Sequence, residues 1–147
     1  MVRTTKDDIT RFVIAQETVF QEVVQELTLG HKTSHWIWFI FPQLRQLGHS
    51  STAHFFGIED LDEAQRYLSY PLLGSRLRGC CKLLLEHKGL TSRQILGEID
   101  SMKTRSCATL FAYAADDPIV FHQMLDQFYA GEPCPFTVDA LGILWKA

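Results

Sequence analysis

The chain has 147 residues, 46% hydrophobic and 21% charged, which is the size and composition of one globular domain able to bury its own core. Lysine and arginine number 14 against 17 aspartates and glutamates, for a net charge of −3, and neither sign runs in a block. That balance speaks against a nucleic-acid partner, which would call for a basic face, and against a polybasic membrane anchor. The four cysteines form no C-x-x-C pair, and Cys80 and Cys81 are adjacent, pointing about 100° apart on a helix; they read as reduced thiols rather than metal ligands. The opening "MVRTTKDDITRF" has no apolar leader and the longest apolar run is the six residues of "WIWFIF", so no membrane span is expected and a cytoplasmic location follows by default.

Taken in order, the elements are helical. Ile9, Val13, Gln16, Phe20, Val23 and Leu27, widened by Phe12 and Val24, predict one long helix over residues 8–29, opening near Asp8 and stopped by Gly30. "WIWFIF" would tolerate a strand, whose only partner would be the tail around "LGILW". The expectation is instead a short helix capped by Thr33 or Ser34, ended around Pro42 and buried on every side. The polar loop "GHSSTAH" reads as solvated, with His49 and His54 in it. Asp60 caps the next helix with Glu63 completing a capping box, and Pro71 opens another that carries Leu73, Leu77, Cys80 and Leu84 on one stripe and ends near Gly89. Gly74 and Gly79 within it suggest close helix packing, since each costs roughly 1 kcal/mol relative to alanine. Thr91 caps a short helix ending at Gly97, a further one runs from Asp100 or Ser101 to Ala115, and Asp117-Pro118 opens one ending near Gly131. The tail from Thr137 has no clear pattern. The fold class expected is all-α: a single domain over residues 1–147, with six or seven helices around a short central apolar helix.

Chemistry concentrates in two segments. In "HKTSHWIWFIFPQL", Ser34 and His35 sit where the short helix should start, and an imidazole there is placed to accept a proton or orient a ligand. Trp36 and Trp38, two residues apart, point in nearly opposite directions, so one can face a ligand while the other packs in the core. Gln43 brings two donors and an acceptor to the exit of the buried helix. In "DSMKTRSCATLFAYA", Lys103, Ser106, Cys107, Leu110 and Ala114 share one stripe that turns apolar after its first turn, which places a lysine and a serine at the edge of the core, with Asp100 as the natural partner of Lys103. Arg76 or Arg78 adds charge. The candidate catalytic pair is therefore His35 and Lys103, with Ser34, Trp36, Trp38, Gln43, Arg76 and Ser106 as candidate ligand-binding residues. His31 and His35 are four apart, but His31 should precede the helix and no third ligand follows, so no metal is expected. Cys107 as a nucleophile would need exposure, a lowered pKa and a base, toward which Lys103 one turn away could help; no phosphate-binding or dinucleotide glycine pattern occurs, so no cofactor is expected.

The blocks "RFVIAQ", "SHWIWFIFPQL", "LGHS", "YPLLGSRLR", "DSMKTRSCATLF" and the run Phe128, Tyr129, Ala130, Gly131, Glu132, Pro133, in this order, resemble a family of small, mainly helical bacterial proteins of unknown function whose members often carry the label calpastatin. The resemblance covers residues 9–144. It implies a mostly α-helical single domain and no known activity. The calpastatin label fits poorly, because an inhibitor of that type is a disordered polar chain, whereas this one is 46% hydrophobic with strong helical periodicity. At Thr104 and Cys107 the family tends to carry an apolar residue and a serine. A fainter likeness, in block order alone, is to helical enzymes acting on ADP-ribose conjugates: an aromatic segment with histidine, a Pro-Leu-Gly-Arg helix, then a helix bearing a lysine.

Three functions fit the sequence. One is a cleft near His35 and Lys103 that binds or processes a small anionic, nucleotide-like ligand of the ADP-ribose type. Another is a non-enzymatic adaptor that offers a helix groove to a protein partner, which the sequence leaves unidentified. In the third, all of these residues serve the fold alone.

Overall fold

The computed structural model describes residues 9–145. Among them are ten α-helices: α1 Thr10–Glu17, α2 Phe20–Leu29, α3 Ile37–Ile40, α4 Ser51–Phe56, α5 Leu61–Ser69, α6 Pro71–Leu85, α7 Ser92–Leu96, α8 Glu98–Ala114, α9 Ile119–Tyr129 and α10 Pro135–Leu141, with a single 3-10 turn at Arg45–Leu47. No strand occurs among the described residues; the nearest thing to one is an isolated parallel bridge between Leu44 and Ile58. None of the described helices is long and apolar enough to cross a membrane.

The helix count exceeds the expected six or seven for local reasons. The long first helix breaks in two at Thr18 and Val19, where Val19 leaves helical geometry (φ −121°, ψ −7°). Two successive β-branched residues make this the weakest point of the run. The expected start at Asp8 lies outside the described residues. The "GHSSTAH" segment enters a helix rather than staying a loop, with His49 and His54 both exposed: the Ser50 hydroxyl accepts the Ala53 N–H at 3.0 Å and caps α4, while the ring of His54 bonds the Gly48 carbonyl at 2.8 Å. The tail forms α10, opened by Pro135 at its first turn and stopped by Gly142 with φ 65°. Two of the expected caps stand as the sequence suggests. Gly30 ends α2 in the left-handed region, and Thr91 with Gln94 builds a reciprocal capping box on α7.

α8 is the axis. Ten of its 17 residues are buried, and it packs against α9, α7, α5, α10 and α3. The short α3 is buried against it as the aromatic run requires, with Trp36, Ile37, Ile40 and Phe41 almost wholly enclosed. Gly74 lets α6 approach α5 so closely that a Cβ there would lie 2.2 Å from the Leu68 carbonyl oxygen; Gly79, by contrast, faces open space and has no packing role.

The loop between α4 and α5 is held by a buried ion pair. Arg11 of α1 and Glu63 of α5 are both buried and meet at 2.9 Å. The Arg11 guanidinium also donates to the carbonyls of Phe55 (2.7 Å) and Gly57 (2.9 Å). Glu63 does not close the expected box onto Asp60. Its carboxylate is drawn to Arg11 and accepts the Glu59 N–H at 2.7 Å, while Asp60 caps the helix by accepting the Glu63 N–H. This fixes Ile58, whose N–H donates to the Gln43 carbonyl at 2.8 Å and so positions Gln43. Breaking a buried pair from one side leaves an uncompensated charge, which costs about 3 kcal/mol or more. Glu63→Gln is therefore expected to lower urea-denaturation stability by about 3 kcal/mol. Asp62→Asn, which breaks the exposed Asp62–Arg66 contact, should cost less than about 1 kcal/mol. Equal effects from the two substitutions would contradict this reading.

Candidate functional site

The segment from Gly30 to Trp36 turns back on α2 around one carboxylate. Glu26, buried on the last turn of α2, accepts five hydrogen bonds: from the Thr33 N–H (2.9 Å) and hydroxyl (3.1 Å), the Ser34 N–H (3.1 Å) and hydroxyl (2.5 Å), and the Trp36 indole N–H (2.9 Å). Burial by itself pushes this carboxyl up. The bonds from the Ser34 hydroxyl, the Thr33 N–H, the Trp36 indole and the Ser34 N–H outweigh it and bring the pKa down to about 2. Thr33 and Ser34 thus do not cap the aromatic helix, as their position suggested; α3 begins at Ile37 with no side-chain cap. Lys32 fastens the same segment to α7 and α8. Its backbone N–H donates to the Ile95 carbonyl at 2.8 Å, and its ammonium lies 2.7 Å from Asp100 and 4.8 Å from the centre of the Trp36 ring.

With Trp36 committed to Glu26 and the core, Trp38 emerges on the other side, half-buried. It lines a recess with Gln43 and Lys103, over a floor that includes Ile37, Phe41 and Phe56. Asp100 is paired with Lys32, so the expected Asp100–Lys103 contact does not form. The Lys103 ammonium, the Gln43 side-chain amide and the Trp38 indole N–H have no hydrogen-bond or ion-pair partner among the described residues, and no carboxylate lines the recess. The recess holds about 10 Å³, room for one water molecule and too little for the body of a ligand.

The other expected site residues lie elsewhere. Ser34 and His35 line a broad open depression of about 450 Å³ with Lys32, Glu98 and Asp100. It neighbours the recess along α8, Asp100 and Lys103 being one turn apart, but His35 and Lys103 do not line one common cavity. Trp36 is 1% exposed and takes no part in either concavity. Arg76 lies over the Phe20 ring at 4.4 Å and donates to the Gln16 amide oxygen at 3.2 Å; Gln16 in turn donates to the Phe39 carbonyl at 2.7 Å. Ser106 bonds Thr137 at 2.7 Å in the buried contact between α8 and α10. Cys80, Cys81, Cys107 and Cys134 are all free and buried. Burial pushes the Cys80 thiol up to about 12 and the Cys107 thiol well above its ordinary value, which removes Cys107 as a nucleophile. Among the described residues no cluster of metal-ligating side chains occurs. The organising roles of Glu26 and Lys32 escaped the sequence reading, because Glu26 resembles any solvent-facing glutamate of an amphipathic helix.

The profile of the DUF1810 family, described as a protein of unknown function, matches residues 6–141. No curated protein matches the chain. The crystal structure of the conserved hypothetical protein Rv1873 from Mycobacterium tuberculosis is similar throughout, with 44% sequence identity, a TM-score of 0.91, and coverage of 93% of this chain and 98% of that one. The shared fold is therefore well defined, and neither name supplies an activity.

Glu26→Gln turns one acceptor of the carboxylate into a donor facing donors. Its stability at pH 7 should fall by about 3 kcal/mol, the equivalent of a shift from 4.5 to about 2. Because the folded-state pKa is the lower one, this contribution is present above pH 4.5 and is lost as pH falls toward about 2. Urea denaturation across that range should show wild type converging on the variant. A gap that stays constant down to the lowest pH would contradict the assignment.

Proposed function

From a chain that belongs to the DUF1810 family, whose function is unknown, we propose a binding protein for a small anionic ligand, taken up at the recess of Trp38, Gln43 and Lys103. The observation that carries this reading is the imbalance of hydrogen-bonding groups. Lys103, Gln43 and Trp38 line one recess, and the ammonium, amide NH₂ and indole N–H they carry are not used by any partner among the described residues. Donors gathered without an acceptor suit a phosphate or carboxylate oxygen, and a charge-assisted bond to lysine is roughly twice as strong as a neutral one.

The size of the recess divides the ligand in two. Only one oxygen of a terminal anionic group fits inside, so the rest lies outside, over the Trp38 ring and toward the open depression where Ser34 and His35 sit. A flat ring on Trp38 and a polar body beyond it describe a nucleotide-like molecule, and an ADP-ribose-type ligand has both parts. Binding, rather than turnover, is the reading favoured: no histidine lines the recess, and His35 lines the neighbouring depression instead.

Thermal-shift and calorimetric titration with phosphate, pyrophosphate, AMP and ADP-ribose tests the proposal. A ligand at a hundredfold its Kd stabilises the native state by about 2.7 kcal/mol. At least one of these anions is expected to raise the Tm of wild type. Lys103→Met should abolish that rise while leaving the unliganded stability within about 0.5 kcal/mol of wild type. If Lys103→Met binds as wild type does, or if none of the four anions binds at millimolar concentration, the reading is wrong.

A further inference from the structure

Lys103 stands free of carboxylates although Asp100 precedes it by three residues on α8. That spacing places the two on one face of the helix, within reach of each other, and an Asp–Lys pair there would form in the absence of a competitor. The competitor is Lys32. Its ammonium, at the end of a side chain only 6% exposed, lies 2.7 Å from the Asp100 carboxylate, donates to the Ser34 carbonyl at 2.5 Å and sits over the Trp36 ring. Lys32 is itself held in place by its backbone bond to Ile95 and by the Glu26-centred turn that follows it.

We propose that Lys32 is a positioning residue for the anion site: by sequestering Asp100 it keeps the charge of Lys103 unneutralised and available to a ligand. The inference rests on the assignment of the recess as an anion site. It adds a residue that touches neither the recess nor the ligand's terminal group. A lysine already paired with a carboxylate would have to surrender that partner on binding an anion, and would repel the anion through the carboxylate it keeps nearby. Here the carboxylate one turn away is already neutralised by a second lysine. The arrangement also accounts for the low exposure of the Lys32 side chain, which an ammonium tolerates only when its donors are used.

The test is a cycle of full-length variants: Lys32→Met, Asp100→Asn and the two together, each titrated with pyrophosphate by calorimetry. Lys32→Met is expected to weaken binding about fivefold, the size of a partly exposed ion pair formed in competition. The double variant should return to wild-type affinity, because the freed carboxylate is then gone. If Lys32 served only the fold, the double variant would bind no better than Lys32→Met, and the proposal would be overturned. Unchanged affinity in a folded Lys32→Met protein would overturn it as well. A crystal structure of unliganded Lys32→Met gives a readout that needs no ligand: Asp100 should turn to within 4 Å of the Lys103 ammonium, and a carboxylate that stays away refutes the proposal even if pyrophosphate fails to bind. Conversely, Asp100 turning to Lys103 without any pyrophosphate binding to wild type would sustain the competition and reject the recess as an anion site. Should Lys32→Met prove unstable, Lys32→Gln, which can still donate to the Ser34 carbonyl, serves in its place.

Discussion

A single buried carboxylate sets the geometry on which the candidate site depends. Glu26 has left water, and left alone that would be unfavourable; five donors from Thr33, Ser34 and Trp36 reverse the sign and hold it ionised. The same bonds satisfy backbone N–H groups that the polar turn after α2 would otherwise leave open. They also fix the Trp36 indole against the core. Trp36 immediately precedes α3, so fixing its ring anchors the start of that helix, whose Trp38 lies half-buried at the recess.

Two other clamps complete the recess from different directions. The Arg11–Glu63 pair, together with Arg45, which donates to the His54 and Gly57 carbonyls and pairs with Glu59, fixes the segment that carries Ile58 and therefore Gln43. Gly57 is required there, since a Cβ would lie 2.3 Å from the Arg45 backbone. α8 supplies Lys103 from the axis of the fold. In each clamp a carboxylate has a defined partner: Glu26 its hydrogen-bond donors, Glu63 the Arg11 guanidinium, Glu59 that of Arg45 and Asp100 the Lys32 ammonium. The ammonium of Lys103, which lines the recess, has no such partner among the described residues.

The sequence revealed the parts of this arrangement that follow from periodicity. The stripes of α6 and α8, the caps at Thr91 and Gly30, the buried aromatic run and the opposed tryptophans all come from spacing, and spacing is local. Lys103 at the edge of the core was legible for the same reason. The rest depends on contacts between residues far apart in the chain. That Asp100 belongs to Lys32 rather than to its helical neighbour is decided by the turn at Glu26. Arg76 and Ser106 read as available polar groups, yet Gln16 and Thr137, brought in from distant helices, use them. The break at Thr18 and Val19 lies between: the β-branched pair is visible, but the strong apolar stripe running through it conceals it.

The chain has three tryptophans, and their indole N–H groups offer separate reporters in one spectrum. Titration of the labelled protein with pyrophosphate, followed by the indole and side-chain amide resonances, tests the anion site most directly. The account predicts shifts in the Trp38 indole and the Gln43 amide, with the Trp36 indole, held by Glu26, unmoved. Shifts centred on Trp36 or on the Arg76–Gln16 contact, with Trp38 and Gln43 silent, would contradict it.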